Sequence, residues 1–148
     1  MSKERLAGYR EALKDHGVRY NPSIIYSAGD TEKQYSIEAG YHAMKKALKE
    51  MPAFTALEAF SDTLAFGAKR ALIEEKYRIP EDISLTGIDG TDLARYSSPS
   101  ITTIGNDADL LAETTVKMLL GLMERNEKGQ VMQTKPHLIL GESTARLS

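Results

Sequence analysis

Four short apolar runs in this 148-residue chain, at 24–26, 55–60, 83–88 and 101–104, each give way to small or acidic polar residues. Ser27, Ala28, Gly29, Asp30 and Thr31 follow the first run, and Ser61, Asp62 and Thr63 the second. Asp89, Gly90 and Thr91 follow the third, and Gly105, Asn106 and Asp107 the fourth. If the runs are parallel strands of an open sheet, these clusters share one edge, beyond the carboxyl ends of the strands, where α/β folds bind ligands. A rim of carboxylates, hydroxyls and amides suits a polyhydroxylated or purine-like small molecule. The same residue types are also preferred helix N-caps. A helical pattern directly follows Asp30, Asp62 and Asp107, so capping is their first reading. No clear helix follows Asp89, which leaves its carboxylate the best candidate for contacting a ligand.

Other chemistry finds little support. The chain has no Cys, which removes disulfides, thiolate zinc sites, iron–sulfur clusters and a Cys nucleophile. No phosphate-binding loop, dinucleotide fingerprint, zinc-protease motif or nucleophile elbow is present. His16, His42 and His137 are scattered with no second ligand at metal spacing, so no metal and no cofactor is expected. Lys45, Lys46 and Lys49 read as a solvated helix face balanced by nearby acids. A Mg²⁺-dependent enzyme or phospho-acceptor built on Asp62 and Asp89 is an alternative, but it lacks a supporting lysine or acidic pair.

The elements that must position the strand-end residues are read from apolar spacing. Helices are predicted near 3–16, 32–50, 62–76 and 107–125. The second carries the clearest pattern (Ile37, Tyr41, Met44, Leu48, Met51), opens on a Thr31-x-x-Gln34 capping box and stops at Pro52. A last strand falls at 138–140. Short apolar strands between amphipathic helices predict an α/β fold, a three-layer sandwich with a mostly parallel sheet flanked by helices. The chain opens on a helix with no strand before it, which suggests a start within a larger α/β unit. With 41% hydrophobic and 27% charged residues the composition is that of a soluble globular domain. No apolar run approaches the ~18 residues of a membrane span, and no signal peptide is visible. A net charge of −2 makes DNA binding by these residues alone a poor expectation.

Several stretches resemble the lactose-repressor/galactose-repressor (LacI/GalR) regulators. They are Arg5-Leu6-Ala7-Gly8-Tyr9, Gly29-Asp30, Gly40-Tyr41, AFSDTLAFGAKRAL (59–72), RIPEDISLTGIDGTDLARY (78–96), SPSITTI (98–104), DLLAETTVKMLLGLM (109–123) and ESTAR (142–146). Their order and spacing match over roughly 4–146. The resemblance implies the C-terminal portion of a periplasmic-binding-protein-like effector domain, spanning 1–148. It implies that the DNA-binding helix-turn-helix is absent and that the helix at 107–127 packs on a missing N-terminal subdomain or on a partner chain. It also implies effector-binding roles for Arg5, Asp89, Ser61, Thr31 and Asn106. Ser61 stands where Asn is common, Thr31 where some members stack an aromatic ring, Gly90 where a second acid or amide is usual, and Gly141 where Arg is common.

The resemblance further implies a cytoplasmic, homodimeric transcriptional regulator, a repressor that does no catalysis. It would bind a sugar or related metabolite and reach operator DNA only through the absent domain, with no membrane partner. A solute-binding receptor of the same fold is the alternative, which only a signal peptide upstream would mark.

Overall fold

The computed structural model describes residues 3–27, 35–51, 53–124, 129 and 131–146. Helix α1 (Lys3–Asp15) ends at a positive-φ Gly17, and a short 3-10 turn follows at Pro22–Ile24. Then come α2 (Ile37–Glu50), β1 (Ala56–Glu58), α3 (Asp62–Glu74), β2 (Ser84–Asp89), the one-turn α4 (Asp92–Arg95), β3 (Thr102–Gly105), α5 (Ala108–Glu124) and β4 (His137–Ile139). The sheet order is β1-β2-β3-β4, with β1, β2 and β3 parallel and β4 antiparallel to β3. This is the mixed α/β architecture that the alternation predicts: an open sheet flanked by helices. Among the described residues no helix is long and apolar enough to cross a membrane.

Two expectations change. The apolar run at 24–26 forms no strand; Pro22 and the Asn21 side chain, which accepts from Ser23 N–H at 3.0 Å, curl the chain into the 3-10 turn instead. Proline preset near −65° and an Asx-type hydrogen bond outweigh the β preference of two isoleucines. Helix α2 begins at Ile37 rather than near 32, capped by Ser36, whose hydroxyl accepts from Ala39 N–H at 3.0 Å. The Thr31–Gln34 box lies outside the described residues.

The core lies between α2, α3 and the sheet. Leu72, Ile83, Leu85 and Ile101 are its largest fully buried apolar side chains, and most of the rest are alanines (Ala47, Ala59, Ala65, Ala68, Ala71, Ala94). Small side chains let α3 sit close to β2 and to α2. The helices touch at two glycines. A Cβ on Gly67 would lie 1.9 Å from the Ile37 carbonyl oxygen, and one on Gly40 would lie 2.3 Å from that of Leu64. Near the end of the chain, Ser143 is fully buried. Its hydroxyl donates to the Leu85 carbonyl at 2.5 Å and accepts from Thr102 N–H at 2.9 Å. The tail thereby bridges β2 and β3. The opposite side is open. Helix α5 buries only Gly121, while Leu110, Val116, Leu119 and Met123 stand half or more exposed; Leu138 and Leu140, in and after β4, are exposed as well. The chain exposes 10733 Å², against ~7,500 Å² expected for a compact chain of this mass.

Entry into β2 is fixed by a fork. Arg78 donates from Nε and a terminal nitrogen to Asp82, at 3.0 and 2.7 Å, and its backbone N–H adds a third bond at 2.8 Å. These bonds pull the Asp82 carboxyl from the usual 3.8 down to about 2.

Gly67→Ala should lower urea-unfolding stability by about 2 kcal/mol or more, because the added methyl meets backbone that cannot swing aside. Gly8→Ala, with nothing within 4 Å of the new methyl, should raise it by a few tenths to about 1 kcal/mol through helix propensity. For Asp82 the folded value lies below the unfolded one. Its contribution is therefore complete above pH 3.8 and disappears as pH falls toward 2. NMR titration of the Asp82 carboxyl should show that low midpoint, and Arg78→Leu should return it toward 3.8.

Candidate effector cleft at the strand ends

The carboxyl ends of β1 and β2 and the first turn of α1 meet in one open cleft lined by Arg5, Tyr35, Ser61, Thr63 and Asp89. Three residues singled out in the sequence, Arg5, Ser61 and Asp89, are thus brought together. Arg5 donates to Asp89 Oδ1 at 3.1 Å and also to the Phe60 carbonyl oxygen, so the α1 guanidinium is held across two strand ends. Both charged side chains remain about a third or more exposed. Such a pair contributes only about 0–1 kcal/mol, so exchanging it for ligand hydrogen bonds costs little.

Asp89 ends β2 opposite Gly105 of β3 and has φ 122°, a conformation L residues seldom adopt. The next residue, Gly90, continues with φ 70°, and a Cβ there would lie 2.8 Å from Gly105 Cα. Glycine at this position therefore answers a backbone requirement. Helix α4 does follow, but Thr91 caps it, with its Oγ1 accepting from Ala94 N–H at 3.4 Å. The Asp89 carboxylate is left to face the cleft.

Asp62 holds this turn. Its carboxylate is fully buried and accepts from Thr91 N–H (2.7 Å), Thr91 Oγ1 (2.9 Å) and Thr103 Oγ1 (2.5 Å). Thr103 Oγ1 in turn accepts from Gly90 N–H at 3.3 Å. The capping expected of Asp62 falls to Ser61, whose hydroxyl accepts from Leu64 N–H at 3.2 Å. Asp62 stands at the first helical position, where the dipole of α3 favours negative charge. Asp107 does cap its helix, accepting from Leu110 N–H at 2.9 Å.

Asn106 is not among the cleft's lining residues; its side-chain oxygen accepts from Thr134 Oγ1 at 3.3 Å. Thr31, Gly29 and Asp30 lie outside the described residues. No sequence pattern marks Tyr35, and Thr63 is marked only as a member of its strand-end cluster, by its position after Asp62. Among the described residues, no group of three or more His, Asp or Glu is placed to hold a metal ion. Asp62, fully engaged with Thr91 and Thr103, is closed off from the Mg²⁺ role considered for it.

The chain as a whole is similar to known proteins. The model of the periplasmic binding protein-like domain matches residues 1–144. The HTH-type transcriptional repressor PurR of Escherichia coli O1:K1 is 37% identical over 142 residues, covering 95% of this chain and 40% of that protein. The structure of the transcriptional regulator CelR in complex with cellobiose superposes with a TM-score of 0.82 at 29% identity, over 95% of this chain and 42% of the other. A LacI family regulator from Enterococcus faecium with bound ribose gives 0.81 at 30% identity, over 97% and 52%. The chain thus spans about 40% of the length of the curated repressor that it matches.

Asp62→Asn replaces a charge-assisted acceptor with an amide and should cost about 2 kcal/mol in urea unfolding. Ser61→Ala, which removes the cap alone, should cost about 1 kcal/mol.

Proposed function

Because the chain belongs to the periplasmic-binding-protein-like family of LacI-type transcriptional regulators, we propose that it is the effector-binding part of such a repressor. It binds a small polyhydroxylated or purine-like metabolite, most simply a sugar, and turns nothing over. The observation that carries this reading is the convergence of Arg5, Asp89, Ser61 and Thr63 on one cleft, with Asp89 held there in a strained backbone conformation. A guanidinium donates in a planar fork, a carboxylate accepts from hydroxyls or ring N–H groups, and two hydroxyls do both. Tyr35 supplies an aromatic ring to the same cleft. That ring offers the stacking surface that Thr31 cannot. The relatives whose structures hold cellobiose and ribose support a sugar as the ligand class.

Operator binding belongs, on this reading, to a DNA-binding domain outside these 148 residues, and the protein acts in the cytoplasm as a homodimer. The exposed apolar face of α5 is where the second subdomain or a partner chain packs. Effector binding then shifts the population between states that do and do not fit the operator. Asn106, bonded to Thr134 rather than lining the cleft, is dropped from the binding set.

A thermal-shift screen of mono- and disaccharides and purine bases tests the reading. One class of compound should raise the melting temperature without being consumed. Asp89→Ala and Arg5→Ala should each weaken its binding by about tenfold or more, the scale of a lost charged hydrogen bond. A full panel without effect, or a shift that survives in both variants, would overturn it.

A further inference from the structure

A second cavity, of about 390 Å³, lies next to the strand-end cleft, bounded by α1, α2, α3, β1 and residues 24–27. Among the described residues the two linings share only Tyr35. That volume falls in the range of small-molecule sites. Its walls are unusual in composition. Among the described residues, Tyr9, Tyr26, Tyr35, Phe54 and Phe60 contribute aromatic rings, the remainder is almost entirely aliphatic, and no Lys, Arg or His lines it. Within this lining stands one carboxylate, Glu58, which has no cationic or hydrogen-bonding partner among the described residues. Glu58 keeps access to solvent, yet the protein packed around its carboxyl pushes it above the usual carboxylate range. The Tyr9 hydroxyl is raised by its own burial and then by the nearby Glu58 charge.

The contrast with the first cleft is informative. There a carboxylate, Asp89, already has the Arg5 guanidinium beside it. Here a carboxylate stands among aromatic rings with no described residue of opposite charge beside it. An unpaired carboxylate in such surroundings carries a desolvation cost that a cation would relieve. Aromatic faces attract the same cation through their quadrupoles. Met44, Ala47 and Leu57 supply an aliphatic wall that fits an apolar body behind the charge.

We propose that this cavity is a second ligand site, distinct from the effector cleft, and that it takes a small organic cation with an apolar body, an arylalkylamine, whose ammonium pairs with Glu58. The proposal does not depend on the effector reading, since it uses none of Arg5, Ser61, Thr63 or Asp89. The competing fate of the space is closure: residues 24–27 form one wall, and a shift of that segment onto β1 would fill it.

Isothermal titration calorimetry with 2-phenylethylamine and its neutral isostere 2-phenylethanol, at neutral pH, separates these. The amine should bind the protein at least tenfold more tightly than the alcohol. Glu58→Gln should abolish that difference while leaving the alcohol unchanged. It keeps size and removes only a partly desolvated charge, so the variant should fold, and circular dichroism checks that it does. The amine-to-alcohol ratio on the unaltered protein stands even if it does not. No binding of either compound would mean that the segment closes the cavity, and equal binding would mean that Glu58 plays no part. Selectivity that survives Glu58→Gln and is lost in Asp89→Asn would put the amine in the effector cleft. Each of these three results overturns the proposal.

Discussion

The buried Asp62 carboxylate is the constraint on which the strand-end geometry depends. It has no counter-ion among the described residues, and its burial is tolerated only because three donors converge on it. Those donors come from the loop after β2 and from β3, while Asp62 itself belongs to α3. One side chain therefore locks three elements at a single distance. The backbone strain at Asp89 makes sense only against that lock. A residue with φ 122° relaxes unless its neighbours over-determine it. Here Gly90 and Thr91 are both hydrogen-bonded into the Asp62 network, leaving Asp89 little room to relax.

A second constraint acts behind the first. Helix α3 can present Asp62 to the sheet only if it lies close to it, and the alanine-rich face toward the core allows that approach. Gly40 and Gly67 then let α2 lie on α3 at backbone contact. Packing on this side is tight and intolerant of added volume. On the other side α5 has the opposite character, with a row of exposed Leu, Val and Met side chains. An exposed apolar face of that kind marks an interface. The molecule thus has a closely packed half around α2, α3 and the sheet and an exposed apolar face on α5.

Much of this is legible in the sequence because helical periodicity and strand-end position are local signals. Helices α1, α3 and α5 fall within two residues of their predicted bounds, and the parallel order of β1, β2 and β3 is expected from their alternation with helices. The misses have local physical causes. Ile24, Ile25 and Tyr26 have strand character, but Pro22 and the Asn21 side chain dictate a turn. Ser61 and Asp62 are equally plausible caps from composition, and only burial shows that Ser61 takes the cap while Asp62 reaches across to Thr91 and Thr103. The residues after each strand stand out as a group. Which of them turn into the cleft does not, because Asn106 is drawn to Thr134, a partner 28 positions away. Tyr35 lies beyond reach, since its place on the cleft wall comes from tertiary position and no local motif marks it.

The exposure of the Arg5–Asp89 pair bears on how an effector would act. Were the pair buried, a ligand would have to break a strong interaction before gaining its own. Partly exposed, the pair is worth little and gives way to hydroxyls at small cost. Its role is positional: it keeps the guanidinium of α1 and the carboxylate of β2 at the mouth of the cleft, with Arg5 also tied to the Phe60 carbonyl. On the proposed reading, most of the effector's binding energy is then left for shifting the equilibrium between open and closed arrangements. A ligand can shift that equilibrium only by its difference in affinity for the two states. A preformed half-site does not by itself meet that need. It contributes similar contacts in both states, so the discrimination has to come from whatever closes over it, and the side of the molecule built for such contact is the exposed face of α5.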